Sequence, residues 1–198
     1  DIGGGVFTRD MLQWIRPEDA PESNLKTIIG VDPASTADAQ TAQDQDSDYW
    51  AVTVAMLDMT KNELLLTDSK QRRGMTLNEG VQWLRAIAKE CEQPPQMLIE
   101  ANQSQRWLQQ ELQNKGLNAV PIQTTRNKEE KLVDLSIPLS NGIVKFVKWQ
   151  NHPFDDLISQ MLSWPDARHD DLMDSVSMIV AHTDLNPSGI ISGNYRDA

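Results

Sequence analysis

The sequence predicts an α/β fold in which a mixed sheet, opening with three antiparallel strands and continuing with parallel ones, is flanked by helices. Three short apolar runs rich in β-branched residues come first, and turn residues bound them. From residue 77 onward the apolar residues recur at helical spacing, and helical and strand patterns then alternate. A length of 198 residues, with 39% hydrophobic and 24% charged residues, fits one globular domain with a tail.

The three opening strands are predicted at residues 26–32, 49–57 and 63–68. The first must end before Pro33, because proline lacks the amide hydrogen that a sheet ladder requires. Polar residues at 59–62 separate the second strand from the third, which predicts an antiparallel hairpin.

The rest of the chain alternates between the two periods. Further strands are predicted at 97–101, 119–122 and 142–147, and helices at 77–91, around 107–112, and at 128–139, 153–163 and 171–182. The predicted order is therefore β-β-β-α-β-α-β-α-β-α-α, which implies one mixed sheet with helices packed against it.

Both ends of the chain and one loop lie outside this pattern. Residues 1–25 are predicted to form an N-terminal arm or linker, with a short docking helix at 10–15. Residues 26–184 form the predicted domain, which includes a long polar loop at 34–48. Residues 185–198 are predicted to form a C-terminal tail.

Charge and composition exclude several classes of protein. The net charge of −11 argues against a protein that coats nucleic acid, although bases recur between residues 106 and 148 and predict a separate basic face. A single cysteine excludes an internal disulfide framework and fits a reducing compartment. The sequence has no apolar run long enough for a membrane span and no signal peptide pattern. Because it also lacks a starting Met, we expect a fragment of a longer protein.

Acidic residues stand at three places that this fold would bring together. Asp32 ends the first predicted strand and Glu100 lies at the end of the fourth. Three further acids, Asp170, Asp171 and Asp174, open the last helix. Mg²⁺ and Mn²⁺ prefer oxygen ligands, and two such ions can drive phosphodiester hydrolysis. The pattern predicts a divalent-cation site where strand ends meet the first turn of a helix.

Each acid also has an ordinary structural interpretation. Asp32 before a proline is typical of a turn, and Glu100 is suited to capping the next helix. One acid at the start of the last helix would serve as its N-cap. Capping requires one acid, however, and Asp171 and Asp174 share a helix face, where like charges repel unless a cation joins them. The metal-site hypothesis accounts for all three positions together.

Four motifs occur in this order: GVDPA at 30–34, SDYWAV at 47–52, LIEAN at 98–102 and HDDLMDS at 169–175. With the order of elements, they resemble the ribonuclease H-like superfamily and, in detail, the nuclease domain of the large terminase subunit of tailed bacteriophages. The resemblance spans roughly residues 26–182, and its specificity comes from acidic motifs in order at matching structural positions.

The resemblance implies a metal-dependent endonuclease that cuts concatemeric double-stranded viral DNA by two-metal phosphodiester hydrolysis. Asp32 would bridge two Mg²⁺ or Mn²⁺ ions, Glu100 would hold one, and Asp171 would hold the other with help from Asp174 or Asp170. Whether Asp171 or Asp174 is the main third ligand stays open. One ion would activate the attacking water, and the other would stabilise the leaving oxygen.

The same resemblance implies partners and a location. An ATPase motor domain precedes the nuclease domain in this family, and the present sequence has no Gly-rich phosphate-binding loop. We therefore expect an isolated nuclease domain that works with a motor domain of the same polypeptide, with the portal and with the small terminase subunit. Its expected place is the host cell cytoplasm, with no membrane association.

Several further residues are candidates for supporting roles. Asp48 is suited either to approaching the site behind the direct ligands or to capping a hairpin. His169 is suited to orienting water or phosphate, or is simply a surface histidine. Four bases are predicted to contact DNA phosphates: Arg106, Arg126, Lys128 and Lys131. For the last three, a solvated helix face is the alternative interpretation.

Two other functions fit the same pattern. One is another ribonuclease H-like nuclease, of the junction resolvase or transposase type, which would share the acids and differ in substrate. The other is an inactive ribonuclease H-like scaffold that binds proteins, to which the acidic net charge gives weight.

Overall fold

A seven-stranded mixed sheet forms the centre of the structure, a computed structural model that describes residues 6–34, 49–100, 106–123 and 127–185. The strands are β1 (Trp14–Ile15), β2 (Leu25–Asp32), β3 (Trp50–Asp58), β4 (Glu63–Arg72), β5 (Gln96–Glu100), β6 (Asn118–Ile122) and β7 (Val144–Val147). The helices are α1 (Leu77–Glu90), α2 (Arg106–Asn114), α3 (Lys128–Ser140), α4 (Asp155–Ser163) and α5 (Asp171–His182). From β2 onward, this order is the one that the sequence predicts.

The strand order in the sheet is β1-β7-β4-β3-β2-β5-β6. β2, β3 and β4 are antiparallel neighbours, as predicted, and the β3–β4 connection is the predicted hairpin. β5 is parallel to β2 and to β6, and β7 is parallel to β4. The predicted mixed sheet flanked by helices is confirmed, and β2 lies inside it, between β3 and β5.

Helices cover both faces of the sheet because its inner strands are apolar on both sides. Along β2, Ile28 packs in the cluster formed with α3, α4 and α5, whereas Ile29 packs in the cluster formed with α1 and α2. Along β5, Leu98 joins the first cluster, while Met97 and Ile99 join the second. This alternation is the two-residue period of a strand, and it fixes α5 on the face that carries α3.

The N-terminal residues correct the predicted arm. Phe7 and Leu12 are buried in the core cluster with α3 and α5, so this segment packs against the domain. In place of the expected helix at 10–15, a 3-10 turn at Arg9–Met11 leads into β1, which pairs in parallel with β7. A strand of two residues is too short to show a period in the sequence. The boundary at residue 25 stays a prediction.

The end of β2 and the predicted loop and tail are the remaining features to compare with the sequence. β2 ends at Asp32, directly before Pro33, as expected. Residues 35–48 of the predicted loop and residues 186–198 of the predicted tail lie outside the described residues. No helix in the described ranges is long and apolar enough to cross a membrane.

Candidate metal centre

Asp32 and Glu100 lie next to each other because β2 and β5 are parallel neighbours. Val31 pairs with Ile99, so the strands end in register, and the acid that follows each of these residues emerges at the same edge of the sheet. Both acids are half-buried. The sheet thus brings together two carboxylates that the sequence separates by an antiparallel hairpin and a helix.

The first turn of α5 reaches this edge because α5 packs closely on β2 and β3. Gly30 makes the approach possible: a Cβ at this position would overlap the carbonyl oxygen of Ser175 and lie 2.9 Å from Ile179 Cγ1. Beside it, a buried hydrogen bond of 2.7 Å joins the hydroxyls of Thr53 and Ser175. These contacts fix α5 against the strand that ends in Asp32.

The acids at the start of α5 do not cap the helix. Asp170 occupies the N-cap position, but its side chain makes no capping hydrogen bond. Instead, the amide of Leu172 donates to Oε1 of buried Gln160 on α4, at 3.1 Å. The alternative interpretation of Asp170 as a capping residue is therefore not supported, and the cap comes from a glutamine that no local pattern could indicate.

Burial and electrostatic repulsion together disfavour ionisation within the acid cluster. Burial, followed by the charges of Asp174, Asp171 and Glu100, raises the pKa of Asp32 to about 8. Burial also raises the pKa of Asp174, although Lys128 partly opposes it. Asp174 Oδ1 is buried and has no hydrogen-bond partner among the described residues. Such a cluster carries negative charge that an added cation would neutralise.

A cavity of about 690 Å³ opens over this cluster. Asp32, Glu100 and Asp174 line it together, whereas Asp171 lies close enough to act on Asp32 but outside the lining. Asp134, on α3, also lines the cavity, and none of the sequence motifs indicates it. The sequence offers one indication that Asp134 belongs to the site: it follows Lys131 by three residues and so shares a helix face with it.

Two of the predicted DNA-binding lysines contact the acids. Lys128 Nζ lies 2.5 Å from Asp170 Oδ1 and 3.0 Å from Asp174 Oδ2. Lys131 Nζ lies 3.3 Å from Glu100 Oε1, at the wall of the cavity. Burial lowers the pKa of Lys128, but its hydrogen bonds and charge interactions with the two aspartates outweigh this effect, and the pKa is raised. Lys128 therefore stays protonated.

His169 lies in a separate group beside the acids. Arg73 Nη2 lies 2.8 Å from His169 Nε2, and because a guanidinium can only donate, Nε2 accepts this hydrogen bond. The ring proton is thus on Nδ1, which is 4.0 Å from Asp171 Oδ2. Tyr49 packs edge-on against the His169 ring, and the Arg73 guanidinium lies 4.0 Å from the Tyr49 ring centre. These contacts orient His169 toward Asp171.

The other sequence candidates lie elsewhere. Arg106 is exposed at the first position of α2 and does not line the cavity. Asp48 and Arg126 lie outside the described residues.

The donor atoms of the acid cluster are of the type that a hard divalent cation prefers. The cluster offers carboxylate oxygens, including the buried Asp174 Oδ1, which is the donor chemistry of Mg²⁺ and Mn²⁺ sites. Within the described part of the chain, however, no three His, Cys, Asp or Glu side chains already lie close enough to hold one ion. The two lysines pair with three acids of the cluster, so an ion that used those carboxylates would have to separate the pairs.

Solved structures share the fold. The large terminase nuclease from thermophilic phage G20c with bound magnesium is 18% identical, with a TM-score of 0.60 over 92% of this chain and 99% of that one. The zinc-bound form of the same nuclease is 16% identical, with a TM-score of 0.57 over 88% and 96% of the two chains. The large terminase from a second thermophilic bacteriophage is 11% identical, with a TM-score of 0.64, and the match covers 89% of this chain but 44% of that one.

A protein-family model, but no individual curated protein, matches the sequence. No protein with a curated description is significantly similar to it. The family model described as the terminase RNase H-like domain matches residues 29–183, which include both strand-end acids and the acids of α5. Since this match covers most of the chain, the protein belongs to the family of terminase RNase H-like domains.

Proposed function

We propose that this domain is a metal-dependent endodeoxyribonuclease that cuts concatemeric double-stranded viral DNA during genome packaging. The observation that carries the proposal is the convergence of Asp32, Glu100 and Asp174 on one cavity. The sheet register and the close packing of α5 produce this convergence. The nuclease domains of similar fold were solved with magnesium, zinc or cobalt bound, which supports a divalent-cation site.

The acids would share two ions, Mg²⁺ or Mn²⁺. Asp32, at the end of β2, would bridge them, and Glu100 would hold one from the neighbouring strand β5. Asp174 lines the cavity and has the larger effect on the pKa of Asp32, which supports it as the main third ligand. Asp171, outside the lining, would complete the set, with His169 Nδ1 lying 4.0 Å from its Oδ2.

The bound ions would activate water and stabilise the leaving 3′ oxygen. The chain's own residues would position them and the substrate. The hydrogen bond between Thr53 and Ser175 fixes α5 against β3, beside β2, and Gln160 caps the start of α5. Lys131, at the wall, and Arg106, on α2, are the proposed phosphate contacts, together with Lys128 and Arg126.

The proposed nuclease would work as one part of a larger machine. The match to the second phage's large terminase covers 44% of that chain, which leaves room there for further domains. We propose that this domain acts with an ATPase motor domain of the same polypeptide, with the portal and with the small subunit, in the cytoplasm of the host.

Cleavage of supercoiled plasmid tests the activity. With Mn²⁺ or Mg²⁺ we expect nicking and linearisation, abolished by EDTA and reduced at least about 100-fold by Asp32→Ala or Glu100→Ala, because each removes an ion ligand. Asp155→Ala is the control, since Asp155 is an exposed acid at the first position of α4 and does not line the cavity.

The same assay separates the rival functions. Linear duplex, a four-way junction and an RNA–DNA hybrid would be compared at equal concentration. Strong preference for the junction or the hybrid would favour the resolvase or transposase alternative over the terminase. If the folded wild type cleaves none of these substrates in the presence of metal, the result would favour the inactive, protein-binding scaffold.

A further inference from the structure

The acid cluster already contains two cations, and both are ammonium groups from one helix. Lys128 is the first residue of α3 and reaches Asp170 and Asp174 on α5. Lys131, three residues later on the same helix face, reaches Glu100 at the end of β5. One helix therefore neutralises acids from two other elements.

The position of Lys128 is unfavourable for α3 itself. The N-terminus of a helix carries partial positive charge, which disfavours a lysine at the first position. Asn127 already caps α3 by accepting a hydrogen bond from the Glu130 amide at 2.9 Å, so Lys128 is not needed there. Its favourable interactions are those with the acids of α5.

The lysines and an incoming cation would compete for the same oxygens. Lys128 occupies Asp174 Oδ2, while the buried Oδ1 of the same carboxylate has no hydrogen-bond partner among the described residues. Lys131 occupies Glu100 Oε1. An ammonium group next to a carboxylate repels a divalent ion that approaches it, so both lysines would have to move away.

We propose that Lys128 and Lys131 are resident counter-ions of the acid cluster, which divalent cations displace from Asp174 and Glu100 when they bind. This inference rests on the proposed function of the site. The lysines neutralise the cluster in the ion-free domain, and their displacement sets the cation concentration at which the site fills.

Calorimetric titration of the EDTA-stripped chain with Mn²⁺ tests this competition without measuring cleavage. We expect Lys128→Met and Lys131→Met each to bind Mn²⁺ roughly 3- to 10-fold tighter than wild type, because a competing charge is gone. The matched control is Lys145→Met: Lys145 pairs with Glu63 at 2.6 Å, is about as exposed as Lys131, and lies outside the cluster. Its Mn²⁺ affinity should equal that of wild type.

Amine labelling followed by mass spectrometry gives a second measurement on the unmodified sequence. Saturating Mn²⁺ should increase the acylation rates of Lys128 and Lys131 several-fold and leave that of Lys145 unchanged. If a Met variant fails to fold by circular dichroism, Lys131→Arg replaces it. Arginine holds carboxylates through a rigid fork, so this variant should bind Mn²⁺ more weakly than wild type.

Unchanged or weaker Mn²⁺ binding by the folded Met variants, in a wild type that binds Mn²⁺ and cleaves DNA, would overturn the counter-ion proposal alone. Labelling rates that do not respond to Mn²⁺ would overturn it as well. A wild type that neither binds Mn²⁺ nor cleaves DNA would instead overturn the proposed function, and this inference with it.

Discussion

At the scale of single residues, Asp32 is the centre of the electrostatic strain. It ends β2, an inner strand of the sheet, and burial together with three other acids raises its pKa to about 8. In an unfolded chain the same group has a pKa near 3.8. In the cation-free domain, folding therefore opposes ionisation of Asp32 and lowers the free energy of unfolding at neutral pH. Such a cost is typical of a residue whose role is to bind a ligand rather than to stabilise the fold.

This strain predicts a stability gain for Asp32→Asn in the absence of divalent ions. The raised pKa stabilises the fold below about pH 4, and this contribution is lost as pH rises toward the folded pKa of about 8. Asparagine does not ionise, so at pH 7 we expect a gain of at least about 1 kcal/mol, or a Tm higher by about 2–4 °C.

Thermal melts at pH 5 and pH 7 in EDTA would measure this effect, with Asp155→Asn as the control acid. The gain should be larger at pH 7 than at pH 5. Mn²⁺ should raise the Tm of wild type and leave that of Asp32→Asn nearly unchanged. A variant less stable than wild type at both pH values would contradict the repulsion argument.

At the scale of elements, the site depends on how α5 is placed. Gly30 allows the approach of α5 to β2, a buried Thr53–Ser175 hydrogen bond fixes the contact, and Gln160 on α4 caps the helix. These contacts join elements far apart in sequence. The acids are therefore positioned by packing at the middle of α5 and by a cap at its start.

Gly30→Ala should damage both stability and activity. The new Cβ would meet the backbone of Ser175, which cannot rotate away, so α5 must shift. We expect a loss of about 1–3 kcal/mol in urea unfolding and a fall in plasmid nicking even where the variant is fully folded.

Gly116→Ala is the control for losing a glycine. Gly116 has a φ of +79° and open space around it, so alanine there costs about 1 kcal/mol of backbone strain without steric contact. Its nicking rate should match that of wild type. Full activity in folded Gly30→Ala would show that α5 need not lie so close to β2.

The sequence predicts the elements well because they carry clear periods. The order from β2 to α5, the strand end before Pro33 and the positions of Asp32 and Glu100 all follow from local apolar patterns. Contacts between elements do not follow from such patterns. The Gln160 cap, the cavity position of Asp134 and the lysine–acid pairs all depend on how α3, α4 and α5 pack.

At the scale of the whole molecule, the N-terminal segment belongs to the core. Phe7 is 2% exposed, and Leu12 is buried with it among residues of α3 and α5. β1 extends the sheet beside β7. The sequence offers little sign of this because the segment around these residues is glycine-rich, proline-containing and irregular.

Phe7→Ala should therefore destabilise the domain by about 3–5 kcal/mol, as expected for a large aromatic side chain removed from a core. The neighbouring exposed residue provides the control, and Asp10→Ala should change stability by less than about 0.5 kcal/mol. Urea unfolding followed by tryptophan fluorescence measures both. Equal stability of the two variants would restore the interpretation of residues 6–25 as an appended arm.

The chain order of the acids has a consequence during synthesis. Asp32 lies on β2, early in this sequence, whereas Asp174 lies on α5, the last helix that the structure describes. Until α5 is released and packed on β2, a nascent chain holds only part of the acid cluster. Translation order thus delays assembly of the acid cluster until the sheet and the helices around it are complete.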